Sequence, residues 1–177
     1  MSRADLSYGN DEEFPGQFAL WEQSQKQALK SKRGRQVLRD LRAALLALSD
    51  KRIISRALCT VGRHRTNVDP DLDEHLDELL NKQGEGVCIV GAYAWHQLVR
   101  MGKTTEEAFD ALPTLLDIEH PLYDTINFAK TQCGMSIALA WMLSWKNDET
   151  LSQLLPEDRY TAFMRWIDAE IAQVEIG

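Results

Sequence analysis

The sequence predicts an all-α protein, a single compact domain of about seven to nine helices behind a mobile acidic N-terminal arm at residues 1–16. Three observations lead there. Apolar residues recur at three- and four-residue spacing in most segments beyond residue 17, and no pair of alternating runs flanks a hairpin turn. The third is composition. With 177 residues, 44% hydrophobic and 27% charged, the chain suits one globular domain and not a collagenous, disordered or disulfide-stapled one.

The arm carries Gly9, Asn10, three consecutive acids and Pro15-Gly16, which oppose regular structure. A first helix is expected over Gln17–Lys30, with Phe18, Trp21 and Leu29 as apolar cover. Lys30–Arg35 reads as a solvated break, because it is strongly polar and Gly34 disfavours helix. Val37, Leu38, Leu41, Leu45, Leu46 and Leu48 then mark an amphipathic helix with Arg35, Arg39 and Arg42 on the remaining face. Ser49-Asp50 interrupts it, and Ile53, Ile54, Ala57 and Leu58 predict a short continuation or a second helix. Thr60–Pro70 reads as a loop, followed by an acidic helix over 71–81 through Leu72, Leu76, Leu79 and Leu80.

The core helices are expected within 87–174. Residues 87–101 are apolar on nearly every face, as in a helix surrounded by protein; for Val87–Val90 a short strand is the competing reading. Thr104 and Glu107 match a capping box opening a short helix to Leu112, which Pro113 ends. Helices are expected over 121–130 and over Gly134–Trp145, with Asn147 or Asp148 capping a further one at 149–155. In the last helix Pro156 suits the first turn, and Glu157 and Asp158 suit the positive end of the helix dipole. Tyr160, Phe163, Met164, Ile167, Ile171 and Val174 form its apolar stripe.

Charge is distributed unevenly. Residues 1–25 carry Arg3 against five acids. Residues 26–65 carry twelve Lys and Arg against Asp40 and Asp50, a net of +10, and residues 66–177 carry seven basic and twenty acidic groups, a net of −13. With −4 from the first block these give the overall −7. Such separation predicts an electrostatic partner. The candidate binding residues are Lys32, Arg33, Arg35, Arg39, Arg42, Lys51, Arg52, Arg56, Arg63 and Arg65, a basic ridge if their helices lie side by side. The ridge can meet an acidic protein surface, a second copy of the chain in a homo-oligomer, or the phosphate backbone of a nucleic acid. Against nucleic acid stand the missing recognition-helix pattern, the few interleaved aromatics and the acidic remainder of the chain. The ridge can also pack on the acidic helix at 71–81 and serve structure alone.

Catalytic and metal motifs are wanting. The acids from Asp69 to Glu78 fail as a calcium loop: a start at Asp69 puts Glu74 where the turn needs Gly and Leu80 where a closing Glu belongs. Cys59 and His64 have metal-ligand spacing but no second pair to complete a zinc site. Cys88 and His96 stand eight apart, roughly 12 Å along a helix. A small enzyme using a Cys/His site in the helical core is therefore the third-ranked reading, and buried structural cysteines are the plainer one. Trp95, Tyr93, Trp141 and Trp145 can line a pocket, but aromatics at helical spacing ordinarily fill the core. No cofactor or metal is expected. Three well-separated cysteines fit a reducing compartment, no apolar run marks a secretion signal, and Gly134–Trp145 is too short to span a membrane. A cytoplasmic location follows as the expectation.

The run GRQVLRDLRAALLALSDKRIISRALC at Gly34–Cys59, GEGVC at Gly84–Cys88, Ala92–Leu98 and the stretch Asn147–Glu170 together resemble small uncharacterised helical proteins encoded in tailed-phage genomes. The resemblance implies an accessory role in the cytoplasm of an infected bacterium, such as regulating a host factor. It brings no functional residues with it. The functional expectation is a non-enzymatic accessory protein that binds a macromolecular partner through the basic ridge.

Overall fold

The computed structural model describes residues 17–55, 59–60, 80–112 and 121–176. The expected arm at 1–16, the loop at 61–70, nearly all of the acidic helix at 71–81, and Ala57 and Leu58 lie outside them. The described residues form α1 (Gln17–Lys30), α2 (Lys32–Ala47), α3 (Ile89–Arg100), α4 (Thr105–Asp110), α5 (Pro121–Cys133), α6 (Ile137–Trp145), a π-turn (Lys146–Thr150) and α7 (Pro156–Ile176). The fold is all-helical; the one β-type pairing among the described residues is an isolated antiparallel bridge between Cys59 and Val87.

Helix α2 sits at the centre. It packs against α1, α3 and α7, while α3 also contacts α4, α5 and α6. Its inward face, Gly34, Val37, Leu38, Leu41, Ala44 and Leu45, is buried as the spacing predicts. Burial of each large side chain there contributes about 1.5–3 kcal/mol. The core therefore extends well beyond 87–174 to include Leu29, the α2 stripe, Leu48, Ile53 and Ile54. Phe163 and Ile167 of α7 are fully buried against it, with Tyr160, Met164 and Ile171 partly so.

The expected break at 30–35 shrinks to Ser31. Its Oγ accepts a hydrogen bond from Gly34 N at 2.9 Å and donates to the Ala28 carbonyl at 2.7 Å, capping α2 from within the turn. Gly34 lies inside the helix. A Cβ there would stand 1.9 Å from the Ala28 carbonyl oxygen, so the glycine allows α1 and α2 to cross with backbones almost touching. Low helix propensity is outweighed by this close approach.

Ile53 and Ile54 are not helical, contrary to expectation. Their amides are taken by distant carbonyls, Ile53 N to Pro156 O at 3.1 Å and Ile54 N to Val87 O at 3.0 Å. The segment is thus an extended buried strip, entered through Lys51 in the left-handed region at φ 53°. The Val87–Val90 ambiguity resolves in halves: Val87 makes the bridge to Cys59, Cys88 caps the helix, and Ile89 and Val90 begin α3. The capping box at Thr104 and Glu107 forms as expected. No separate helix covers 149–155. Residues 146–150 instead continue α6 as a π-turn, because Asn147 is turned inward and donates Nδ2 to the Ile54 carbonyl at 3.0 Å.

Candidate partner-binding face

Four-residue steps place Arg35 and Arg39 one above the other on α2, and Lys32 precedes them on the outward side. Lys32 and Arg39 are exposed and Arg35 is half-buried. None of the three side chains has a hydrogen bond or ion pair among the described residues. Among the described ridge members they are the ones with charge to spare.

The other four described ridge members are occupied. Arg42 Nε lies 2.7 Å from Asp168 Oδ1 of α7, with both side chains about half exposed. Arg33 donates to the Gly134 carbonyl at 2.8 Å and the Cys133 carbonyl at 3.4 Å, closing the C-terminal end of α5, where the helix dipole favours a cation. Lys51 Nζ donates to the Leu46 carbonyl at 2.5 Å and stands 5.8 Å from the Tyr160 ring centroid. Arg52 bonds the Gln83 carbonyl and lies 2.8 Å from Glu157. Arg56, Arg63 and Arg65 lie outside the described residues. The ridge is therefore not one continuous free surface, since four of its seven described members hold the fold together.

Asp40, the acid within α2, is likewise engaged. Its Oδ1 accepts from Gln36 Nε2 at 3.0 Å and from Arg100 Nη1 of α3 at 3.0 Å. Arg100 belongs to the acidic block of the sequence, yet α3 returns it beside α2. Near this pair burial raises the Tyr93 pKa, with Asp40 adding to the effect and Arg33 opposing it. Burial, with help from Arg100, lowers that of His96.

Arg159 is the buried charge that the sequence analysis does not single out, 1% exposed. Its Nε donates to Leu151 O at 3.1 Å, Nη1 to Ile53 O at 2.7 Å and to Gln83 Oε1 at 3.1 Å, and Nη2 to Ser152 O at 3.1 Å and Leu154 O at 2.9 Å. Five neutral oxygens thus surround one cation. Burial pulls its pKa down and Asp148 acts in the opposite sense. Gln83 completes the hub by accepting from Ser55 N at 2.8 Å and Ser55 Oγ at 3.2 Å while donating Nε2 to Ser55 O at 3.2 Å. The sequence held a signal for this: Arg159 is four residues before Phe163 on the inward stripe of α7, a register at which a charge must find partners.

The Cys/His pair does not assemble. Cys88 Sγ accepts from Gly91 N at 3.3 Å as the N-cap of α3, and burial, with help from Asp148, pushes its thiol up to about 12. A thiol so protonated is a poor nucleophile at neutral pH. His96 lies two turns further along α3, beside Trp95 at 6.4 Å between ring centroids. Trp95 stacks on Phe109 at 5.2 Å, so that part of the aromatic set is core. Among the described residues no group of three or more His, Cys, Asp or Glu converges as a metal site, and no helix is long and apolar enough to cross a membrane. Comparison with protein-family models, curated proteins and solved structures finds no match for this chain.

Proposed function

We propose that the chain is a non-enzymatic accessory protein that binds an acidic surface of a macromolecular partner through Lys32, Arg35 and Arg39. One observation carries the reading: these three side chains have no partner among the described residues, on the outward side of α2, while Arg33, Arg42 and Arg52 are committed to internal bonds. Cations spent on the fold have little charge left to offer a partner; the three that are not spent mark a narrower face than the sequence suggested. The acidic surface can belong to a host factor, as the resemblance to tailed-phage proteins implies, or to a second copy of the chain.

The test is a fluorescence-anisotropy titration of a labelled oligoglutamate peptide and of labelled duplex DNA, at low and physiological salt. The reading expects the peptide to bind with strong salt dependence, and R35E/R39E to abolish that binding without loss of helix content. Arg42 is left intact, because its reversal would also repel Asp168. Undiminished peptide binding by R35E/R39E overturns the proposal, and binding of DNA alone transfers the face to nucleic acid.

A further inference from the structure

We infer that the partner of this face is a second copy of the chain, which presents the outward side of α4. The inference rests on the functional reading above and commits it to one occupant.

Charge complementarity is the ground. Helix α4 carries Glu106 and Asp110, both exposed, their side chains without a hydrogen bond or ion pair among the described residues, whereas the neighbouring Glu107 is held in the capping box. Arg35 and Arg39 are four residues apart on α2; Glu106 and Asp110 are four apart on α4. Each pair therefore spans about 6 Å of helix axis on one side of its helix. When the two helices meet antiparallel, Arg35 can face Asp110 and Arg39 can face Glu106 at the same time. No ion pair joins these four residues within one chain.

The pairing is self-complementary. Basic α2 of one copy meets acidic α4 of the other, and the two-fold axis that relates them generates the reciprocal contact. Apolar surface lies close in sequence on both sides: Leu46, 49% exposed, is two turns beyond Arg39, and Met101, 71% exposed, begins the link into α4. Contacts made largely of exposed ion pairs are weak and screened by salt. The dimer is accordingly concentration- and salt-dependent.

Sedimentation velocity tests this with the wild type, R35E/R39E and E106K/D110K. The wild type is expected to dimerise at low salt and to dissociate at high salt. Each double variant should self-associate at least about tenfold more weakly, since every cross-pair becomes a repulsion. An equimolar mixture of the two variants should then associate, because acidic α2 now meets basic α4 and basic α2 meets acidic α4. All four positions are wholly or partly accessible, and unchanged circular dichroism of both variants verifies folding. A mixture that stays monomeric overturns the inference, as does a wild type that is monomeric at low salt throughout the micromolar range. If that monomer still binds oligoglutamate through Arg35 and Arg39, the face functions but its partner is not a copy of this chain.

Discussion

Arg159 on α7 and Gln83, just before α3, meet through a 3.1 Å bond from guanidinium Nη1 to the amide oxygen Oε1. That oxygen also accepts from the backbone and side chain of Ser55. Three stretches far apart in sequence are thereby tied to one partly buried atom. Arg159→Ala removes the cation and leaves the carbonyls at 53, 152 and 154 without the donor it supplied, while that of Leu151 keeps only the Leu154 N–H. The expected loss is about 3 kcal/mol or more in denaturant unfolding, with Arg159→Lys intermediate because an ammonium has three donors in place of five. An unchanged unfolding midpoint for the alanine variant would show that water replaces the guanidinium at little cost.

Gly34→Ala reverses the sign that helix propensity alone gives. Propensity favours alanine by about 1 kcal/mol at an interior helical position. The added Cβ would meet the Ala28 carbonyl at 1.9 Å and force α1 off α2, so a net destabilisation of about 1–3 kcal/mol is expected. A more stable variant would mean that the two helices do not cross here.

The capping box gives a pH dependence of definite sign. Hydrogen bonding to Thr104 holds the Glu107 carboxyl below its ordinary 4.5. Its stabilisation is complete above that ordinary value and is lost as pH falls through the lower folded one. Thr104→Ala should cost about 1 kcal/mol at neutral pH and return the Glu107 titration midpoint, followed by carboxyl NMR, toward 4.5. The return is partial, because the alanine variant keeps the Thr104 backbone N–H that donates to Glu107 Oε2; a midpoint that does not move would show that this N–H alone holds the carboxyl down.

Cys88 governs the alkaline side. Its folded pKa of about 12 stands above the ordinary 9.0, so the folded state retains a proton that the unfolded chain releases. Stability should fall as pH rises from about 9 toward about 12, and Cys88→Ser should flatten that limb. The native thiol should also resist iodoacetamide at pH 8 and react only on unfolding. Rapid native labelling would contradict its placement as a buried cap.

The sequence made the helices legible wherever one face is apolar. The α2 stripe, the box at Thr104 and the run from Pro156 through Ile171 all declare themselves by spacing. It was less informative where tertiary partners decide the conformation. Ile53 and Ile54 have helical apolar character, but their amides are claimed by Pro156 and Val87. Gly34 reads as a breaker until a second backbone lies against it. The candidate face was legible only as a block of charge. Spacing groups Arg35, Arg39 and Arg42 together, while the division between the occupied Arg42 and the unoccupied pair depends on Asp168, more than a hundred residues away.

The division within the ridge is tested most directly by following the arginine Nε–H resonances while oligoglutamate is titrated in. Arg35 and Arg39 should shift with a common saturation, and Arg42, held by Asp168, and Arg159, buried in its hub, should stay in place. Shifts confined to Arg42 or to residues away from α2, with Arg35 and Arg39 unmoved, would contradict the account.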